Sequence, residues 1–312
     1  MLALIFKRLL SAIPVLLIVA TIVFLIVRLS GDPAPALAGD TATAEQIERI
    51  RIALGLDKPP HVQFFAWLWQ LARGDLGTSI YNNLPVTTLI GQRLEPTIML
   101  TLTTIVFSVL VGVTLGTLAA WKAGTWLDRI VMVLSVAGFS VPVFVVGYLL
   151  IYAFAGYDRL FPVQGYRSPF TDPLQFVRYI TLPTLALSAI FVALLTRITR
   201  AAVLEVLGED YVRTARAKGQ VERVVLFRHA LRNAAAPIIT VIGLGFALLI
   251  GGAVVTETVF VIDGLGRLVF TSILNRDYPV IQGMILFFAF IYVVLNLVID
   301  IAYTAFDPRI RY

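Results

Sequence analysis

Six long runs of apolar residues constrain the fold of this chain more than any other feature of its sequence. A helix needs about 20 largely apolar residues to cross the hydrocarbon core of a membrane, because every backbone polar group must be paired within the segment. Hydrophobic residues make up 59% of the chain and charged residues only 14%. The sequence therefore predicts an all-α polytopic membrane protein with six transmembrane helices, at residues 9–27, 97–120, 130–155, 180–196, 234–256 and 280–305.

The distribution of Lys and Arg predicts the orientation of these spans. The two terminal segments and the second and fourth connections carry 14 Lys and Arg in 61 residues, whereas the two short connections on the other side carry five in 47. Positive charge is enriched on the cytoplasmic side, so we expect both termini in the cytoplasm. A cleaved signal peptide ending at Ala36-Leu37-Ala38 is the alternative for the first run, but that run is long for a signal sequence.

These spans divide the chain into three regions. Residues 1–27 form the N-terminus and first span, residues 28–96 form an external helical insertion, and residues 97–312 form a core with five spans. Within the insertion, Thr43 with Gln46 three residues later predicts a capped helix that stops at Gly55. The aromatic stripe of residues 61–72 predicts a second helix at the headgroup level, either as a packing cap or as a docking or gating surface.

Small residues spaced four apart predict close packing of two spans. Lipid tails provide no hydrophobic drive for helix association, so small side chains are the usual device for close approach. The same faces are candidates for lining a translocation path, as are two polar residues of the last span, where Asp300 follows Asn296 by one turn and is the only charge in the six runs. The candidate packing or path residues are Gly112, Gly116, Gly243, Ala247, Gly251, Asn296 and Asp300.

Signatures of catalysis and of metal binding are missing from the sequence. Neither His61 nor His229 begins a His-Glu-x-x-His zinc helix, and no phosphate-binding Gly-x-x-x-x-Gly-Lys-Ser/Thr loop occurs. With no cysteine there is no thiolate nucleophile. We therefore expect a non-catalytic chain that binds no metal and does not hydrolyse ATP, and we assign its net charge of +6 to membrane topology rather than to nucleic-acid binding.

The fourth connection, residues 197–233, is the most informative segment, and we call it the basic connection. It carries eight of the 25 Lys and Arg. Leu204, Leu207, Tyr211 and Ala215 recur at helical spacing and predict one helix that stops at Lys218-Gly219. A second helix is predicted to begin near Val221 and to run straight into the fifth span. Such a ridge suits the groove of a partner protein, although a basic loop held by anionic lipid has the same composition.

The residues of the basic connection carry a resemblance to a known family. Residues 209–219, Glu-Asp-Tyr-Val-Arg-Thr-Ala-Arg-Ala-Lys-Gly, with Arg-His-Ala-Leu-Arg-Asn at 228–233, resemble the cytoplasmic signature of bacterial ABC-importer permeases. The subfamily is that of dipeptide, oligopeptide and nickel transport, and the chain is similar to the first permease of dipeptide or glutathione systems. Further matching segments are Gly31-Asp32-Pro33-Ala34, Gly74-Asp75-Leu76-Gly77, Thr256-Glu257, Gly264-Leu265-Gly266, Arg276-Asp277-Tyr278-Pro279 and the ending Asp307-Pro308-Arg309-Ile310-Arg311-Tyr312.

The resemblance implies a subunit of the bacterial inner membrane that works with several partners. These are a second permease, two cytoplasmic ATPases that bind ATP and Mg²⁺, an external substrate-binding protein and membrane lipid. Peptides, glutathione, nickel chelates and oligosaccharides are all cargoes of similar permeases, and no substrate-binding residue is identified. The residues implied to couple to the ATPase are Glu209, Asp210, Tyr211, Arg213, Thr214, Ala215, Arg216, Ala217, Lys218, Gly219, Arg228 and His229.

The sequence departs from the wider permease pattern at two positions, and two other classes of protein were considered for it. Arg213 stands where the wider permease pattern has an acidic residue, and Ala236 precedes Pro237 where leucine is common. A self-sufficient secondary transporter or channel would be expected to hold charges near the membrane midplane, where this sequence has none. A membrane-embedded enzyme would need a nucleophile, metal or acid/base group that the sequence does not supply.

Overall fold

A computed structural model describes residues 2–29, 34–35, 42–53, 55–154 and 161–306. Within these ranges the chain is helical, and its only bridge between extended residues pairs Thr78 with Pro85. The helices are α1 Leu2–Leu29, α2 Ala44–Ala53, α3 Pro60–Ala72, α4 Val86–Trp121, α5 Trp126–Ser140, α6 Val143–Phe154, α7 Pro173–Leu207, α8 Asp210–Ala217, a single turn Glu222–Val224, a π-helix Val225–Leu231, α9 Ala235–Val259, α10 Leu265–Leu274 and α11 Tyr278–Phe306.

Four of these helices are individually long and apolar enough to cross a membrane, namely α1, α4, α7 and α11. Two bent pairs bring the number to six if each pair is one span, and these are α5 with α6 and the two halves of α9. The predicted all-α membrane class is therefore confirmed. The segments 31–33, 36–38 and 307–312, which carried sequence-based predictions, lie outside the described residues.

The span predicted over residues 130–155 corresponds to the sharply bent pair α5 and α6. The chain breaks after Ser140, and the axes of α5 and α6 differ by 106°. Val141 is extended, with ψ of 124°. Proline at position 142 explains the break, because it disfavours helical geometry at the preceding residue and removes a backbone donor.

By its contacts the chain divides into two compact units, of which the first comprises residues 1–94 and 268–312. In this unit α1 packs along α11. The ring of Phe24 on α1 lies 5.2 Å from that of Phe64 and 5.8 Å from that of Trp67 on α3. The guanidinium of Arg28 donates to Gln63 at 2.5 Å. The aromatic stripe of α3 is thus used in part for packing against α1.

The predicted cap of the first helix in the insertion is present in the structure. The backbone N–H of Gln46 donates to Thr43 Oγ1 at 3.3 Å, and the N–H of Thr43 donates to Gln46 Oε1 at 2.8 Å. This reciprocal pair satisfies two of the donors left free at a helix start. At the other end Gly55 has a φ of +68°, which stops the helix as the sequence predicts.

The second unit, residues 95–267, is built around α7. Helices α5, α6 and α9 all pack on it. Its buried residues Leu182, Phe191 and Leu195 are at most 2% exposed and form the centre of the hydrophobic core. A helix that buries residues on every side requires small residues on its neighbours, since backbones must approach closely.

Glycines of α4 and α9 provide that close approach to α7. A Cβ on Gly112 would lie 2.8 Å from Leu195 Cβ, and one on Gly116 would lie 2.6 Å from the carbonyl oxygen of Thr196. On α9, a Cβ on Gly245 would overlap the ring of Phe191, and one on Gly252 would lie 2.6 Å from Leu187 Cδ1. Substitution of Gly112 or Gly116 therefore requires a movement of α7, whereas substitution of Gly245 or Gly252 requires the side chain of Phe191 or Leu187 to rearrange.

An ion pair also joins α5 to α7. Arg200 donates from Nε to Asp128 Oδ1 at 2.5 Å and from a terminal nitrogen to Asp128 Oδ2 at 2.7 Å. Asp128 is 4% exposed and also accepts the backbone N–H of Gly124 at 3.0 Å. Local sequence patterns do not reveal this pair, because its members are 72 residues apart.

Candidate functional site

The basic connection folds into a short helix between two breaks. Helix α7 ends at Leu207, and Glu209 is extended, with ψ of 147°. The predicted single helix through Leu204 and Ala215 is therefore wrong, because Gly208 and Glu209 separate α7 from α8. Gly208 favours this break, since glycine has the lowest helix propensity after proline. At the other end Gly219 has a φ of +77°, a conformation that glycine adopts without steric cost.

Helix α8 has one buried face and one exposed face. Val212 and Ala215 are 0% and 8% exposed and pack with Val225 of the π-helix, which is fully buried. The remaining residues of the helix are exposed and mostly polar. Apolar contacts thus fix the position of α8 on the protein, while its outer face is available for contact with another molecule. The exposed members of the predicted coupling set are Glu209, Asp210, Tyr211, Arg213, Thr214, Arg216, Ala217, Lys218, Gly219 and Arg228.

Three polar contacts join α8 and its glycine turn to the segment that leads into α9. Arg216 Nε donates to Glu222 Oε1 at 2.8 Å. His229 Nε2 and Gln220 Oε1 lie 2.7 Å apart. Asn233 Nδ2 donates to the hydroxyl of Tyr211 at 3.0 Å. The buried contacts of Val212 and Ala215 with Val225 join α8 to residues 220–233, and these exposed polar contacts add to them.

The second predicted helix begins as expected but does not continue as regular α-helix. Val221 is the N-cap of the turn Glu222–Val224, in agreement with the predicted start. Residues 225–231, which include Arg228 and His229, are π-helical, and a turn at Ala234 precedes α9. A π-helical segment has a wider turn than an α-helix and frequently marks a functional region.

Within α8, Thr214 and Arg213 make local contacts. Thr214 Oγ1 donates to the carbonyl oxygen of Asp210 at 2.9 Å. Arg213 lies 3.3 Å from Asp210 in an exposed pair, with both side chains more than 70% exposed. Lys218 is the C-cap residue. An exposed pair of this kind contributes little stability, so these charges can be rearranged by a partner at low cost.

The other predicted residues have different surroundings in the structure. Gly112 and Gly116 pack against α7, Gly243 is buried, and Gly251 has open space where a Cβ would be. Asn296 donates to the carbonyl oxygen of Tyr292 at 2.9 Å and lines a cavity of about 180 Å³ with Arg8 and Ser11. The side chains of Ala247 and Asp300 lie outside the described residues. Among the residues that the structure describes, no three His, Asp or Glu side chains are grouped to hold a metal ion.

Two buried carboxyl groups organise segments that the sequence singled out only as motifs. In the second unit, Glu257 is fully buried and accepts the hydroxyl of Thr97 at 2.6 Å and the N–H of Arg267 at 2.9 Å. Thr97 Oγ1 in turn accepts the N–H of Leu265 at 2.8 Å. A Cβ on Gly266 would lie 2.5 Å from Val254 Cα. The Thr-Glu and Gly-Leu-Gly motifs thus form one cap on the start of α10.

In the first unit, Asp277 holds a loop in the same manner. It is 2% exposed, and its carboxyl accepts the hydroxyl of Ser79 at 2.5 Å and the N–H of Ile80 at 3.1 Å. A Cβ on Gly77 would contact Pro279 at 3.5 Å. The Gly-Asp-Leu-Gly and Arg-Asp-Tyr-Pro motifs are therefore neighbours in space.

A partly buried phenol also belongs to the second unit. Tyr166 donates its hydroxyl to Glu95 Oε1 at 2.9 Å. Burial, together with the adjacent Glu95, raises the pKa of Tyr166 above its ordinary value. The hydroxyl is consequently a stable donor across the physiological pH range.

The long apolar helices define a multi-pass membrane protein. Residues 112–312 match the family described as "Binding-protein-dependent transport system inner membrane component", and residues 1–101 match the N-terminal membrane component of the same systems. The chain belongs to this family.

Relatives are similar over the whole chain. A probable peptide ABC transporter permease protein of Sinorhizobium fredii is 50% identical over 99% of each chain. The glutathione transport system permease protein of Salmonella choleraesuis is 45% identical over the full length of both. Among solved structures, the MetNI methionine ABC transporter in inward-facing conformations has a chain with a TM-score of 0.60 at 15% identity. That likeness covers 71% of this chain and 97% of the other, and shows that the fold is shared.

Proposed function

We propose that this chain is the permease subunit of an ATP-driven, binding-protein-dependent importer of the bacterial inner membrane. It crosses the membrane six times with both termini in the cytoplasm, and forms half of the translocation path with a second, homologous permease. Membership of the family, the permease names of its relatives and the uneven distribution of Lys and Arg support this proposal. Two cytoplasmic ATPases, with their ATP and Mg²⁺, and an external binding protein complete the assembly.

The two-faced arrangement of α8 is the observation that carries the coupling part of the proposal. One subunit can change the conformation of another only if their contact differs in free energy between two states. The exposed face of α8 is the surface for that contact with an ATPase subunit. Its buried face, at Val212 and Ala215, transmits a displacement to Val225 and so toward α9.

In the transport cycle, this chain transmits the movement of its ATPase partners, whose ATP hydrolysis provides the free energy. Closure of the ATPases on ATP displaces α8 together with residues 220–233, because buried and polar contacts join them. The displacement reaches the base of α9, which packs on α7 through Gly245 and Gly252. Movement at this helix pair opens the translocation path toward the binding protein. Hydrolysis of ATP returns the helix pair to its first arrangement.

Substitution of the glycine beside α8 tests the coupling. A Cβ on Gly219 would meet nothing within 4 Å, so the main effect of Gly219→Val is the cost of a positive φ, about 1–2 kcal/mol. Gly74→Val is the matched control, since Gly74 has a φ of +79° and the same open space but lies outside the basic connection. We expect uptake of a labelled dipeptide by the whole transporter to fall about tenfold for Gly219→Val and little for Gly74→Val.

Two further measurements separate coupling from assembly. The Gly219→Val chain should insert in the membrane at normal abundance, and its partner ATPases should hydrolyse ATP without stimulation by the loaded binding protein. Equal uptake by both valine variants would rule out a role of this turn in coupling. Purification of the intact chain from native membranes without any ATPase would rule out the importer itself.

Short peptides are the cargo that we assign. Relatives named for peptide and glutathione transport cover the whole chain and support this class. Competition of labelled dipeptide uptake by unlabelled dipeptide, tripeptide, glutathione, a nickel chelate and an oligosaccharide tests it. Uptake that only the nickel chelate or the oligosaccharide inhibits would contradict peptide transport while leaving the importer intact.

A further inference from the structure

The segment between α8 and α9 has an exposed face that the proposed coupling contact does not use. Its inner side, formed by Val225, Leu226 and Ala230, is at most 3% exposed and packs against α7 and α8. The opposite side carries three arginines and two apolar side chains, all exposed to solvent. We call this side the arginine face, and its members are Arg223, Val224, Phe227, Arg228 and Arg232.

The π-helix brings these side chains together. Its hydrogen bonds join residues five apart, so residues four and five apart are neighbours on its surface. Arg223 is four residues before Phe227 and five before Arg228. Arg232 is five residues after Phe227 and four after Arg228. The three cations therefore form one cluster around the ring of Phe227.

The arginine face combines unpaired positive charge with exposed apolar surface. In the part of the chain that the structure describes, none of its three arginines has a hydrogen-bond or ion-pair partner. The side chain of Phe227 is 58% exposed and that of Val224 is 40% exposed, which is unfavourable in water. The boundary between headgroups and acyl chains suits both, because aromatic and aliphatic side chains enter it while guanidinium groups match phosphates.

The arginine face also lies close to the start of a span. Arg232 and Arg228 are three and seven residues before Ala235, where α9 begins. At a rise of about 1.5 Å per residue, their backbones are at most about 5 and 11 Å from that helix. Headgroups occupy about 5–8 Å on each side of the hydrocarbon core, and an arginine side chain extends further along a membrane surface. Basic residues placed immediately beside a span in this way attract anionic lipids.

We propose that the arginine face binds the headgroups of anionic phospholipids in the inner leaflet, with Phe227 and Val224 at the acyl boundary. The proposal rests on the proposed function, because it takes the basic connection to be cytoplasmic. An ATPase subunit suits this face less well, since a soluble protein would have to displace lipid beside the span. The outer face of α8, which carries both acidic and basic side chains, is the surface for that subunit. Arg228, one of the residues implied to contact the ATPase, is thus assigned to the membrane.

The two contacts act on opposite ends of one structure. Buried contacts of Val225 join the segment to α8, whose outer face meets the ATPase. The membrane holds the arginine face, so that a movement of α8 turns the segment against a fixed surface. Coupling therefore depends on the charge of the inner leaflet.

Photocrosslinking tests the preference for anionic headgroups. The complete transporter is placed in vesicles that contain either phosphatidylglycerol or phosphatidylcholine with a diazirine near the headgroup, irradiated, and mapped by peptide mass spectrometry. One basic residue near an anionic surface strengthens binding about fivefold. We therefore expect adducts of phosphatidylglycerol on residues 221–233 to exceed those of phosphatidylcholine by at least about tenfold. Equal adducts of the two lipids would overturn the proposal.

Charge substitution then tests the three arginines themselves. In a chain that carries Arg223→Gln, Arg228→Gln and Arg232→Gln together, the ratio of the two adducts should fall to about one. The matched chain with lysine at the same three positions keeps the charge and should keep the ratio, because attraction to an anionic surface depends on charge more than on geometry. An unchanged ratio in the glutamine chain would overturn the proposal. So would an equal loss in the lysine chain, which would indicate specific contacts of arginine with a protein.

A spin label distinguishes the membrane from water and from a partner protein. The chain has no cysteine, so Phe227→Cys introduces one labelling site on the arginine face, and the complex with the unsubstituted chain gives the background from the other subunits. In the complete transporter in vesicles, we expect this label to be relaxed more by oxygen, which concentrates in lipid, than by a water-soluble nickel chelate. Preferential relaxation by the chelate would show a solvated face, and protection from both would show a face covered by protein. Either result would overturn the proposal.

A second label keeps this result separate from the coupling contact. Ala217→Cys places the label on an exposed residue of α8, and there we expect protection from both agents once the ATPases are bound. Accessibility of that label in the complete transporter would contradict the proposed contact with the ATPase. The label at position 227 would still report the membrane contact, so the two proposals fail independently.

Discussion

Helices α8 and α10 are of similar length, eight and ten residues, but the chain holds their starts in opposite ways. The residue before α8, Glu209, makes no side-chain hydrogen bond to the helix and is exposed. The start of α10 is buried, and its N–H groups at Leu265 and Arg267 donate to Thr97 and Glu257. A helix start leaves four N–H groups without internal partners, so each must be satisfied by water, a side chain or a ligand.

The difference indicates what each helix is suited to do. A buried cap fixes α10 in one arrangement, because removal of any partner leaves an unsatisfied polar group in an apolar surrounding. The first turn of α8 is satisfied by solvent and can exchange that solvent for groups of another protein. Helix α8 is thus the adaptable element of the second unit, and the cap of α10 is its rigid one.

The largest effect is expected from a methyl group at the cap of α10. In Gly266→Ala the new Cβ would lie 2.5 Å from the backbone Cα of Val254, which cannot rotate away. We expect a loss of about 3 kcal/mol in the free energy of unfolding, measured by thermal or denaturant unfolding of the purified chain in detergent. Gly251→Ala is the control, since a Cβ there meets open space. Equal stability of the two variants would contradict the rigid cap.

Removal of one carboxyl oxygen at the cap should be somewhat milder. Glu257→Gln preserves the shape of the side chain but replaces one of the two accepting oxygens by an NH₂ group, so that either the Thr97 hydroxyl or the Arg267 N–H loses its acceptor. We expect a loss of about 2 kcal/mol. Glu222→Gln, in the exposed pair with Arg216, is the matched change. A comparable loss in both variants would show that burial of Glu257 is unimportant.

Removal of the hydroxyl that joins α4 to the cap should lower the free energy of unfolding by less than Glu257→Gln does. Thr97→Val is nearly isosteric, and removes the donor to Glu257 and the acceptor for Leu265. We expect the free energy of unfolding to fall by about 1–2 kcal/mol. Thr114→Val on the same helix removes a hydroxyl that bonds only to its own helix, at the carbonyl oxygen of Leu110, and should have a smaller effect. The prediction fails if both variants unfold at the same temperature.

The smallest effect on stability is expected at α8. The side chains of Arg216 and Glu222 are 40% and 44% exposed, and an exposed ion pair contributes little. Arg216→Gln should change the free energy of unfolding by no more than about 0.5 kcal/mol. A loss above about 1 kcal/mol would mean that α8 is as rigidly held as α10, and would remove the contrast between the two helices.

Sequence patterns predicted the helical membrane class well because long apolar runs have few other uses. They predicted breaks poorly. Pro142 and Gly208 were both visible in the sequence, but tertiary packing decides whether a proline or glycine bends a helix or ends it. The sequence motifs did not predict which residues pair in the buried caps. Thr97 and Glu257 are 160 residues apart, and Ser79 and Asp277 are 198 apart.

The packing face of α9 shows a different limit. Spacing by four suggested Gly243, Ala247 and Gly251, and the structure adds Gly245 and Gly252, seven residues apart, as glycines where a Cβ would meet side chains of α7. A helix that is apolar around its whole circumference has no polar stripe from which the buried side can be recognised. The contacting face follows from the side chains of the neighbouring helix, here Phe191 and Leu187.

The π-helix Val225–Leu231 changes the rotation of α9 about its own axis. Its turns hold more residues than α-helical turns, so side chains on α9 are rotated relative to the positions that an uninterrupted α-helix from Val221 would give them. One residue of an α-helix corresponds to about 100° of rotation. Together with the turn at Ala234, the wider turns of this segment therefore determine the side of α9 on which Gly245 and Gly252 meet α7.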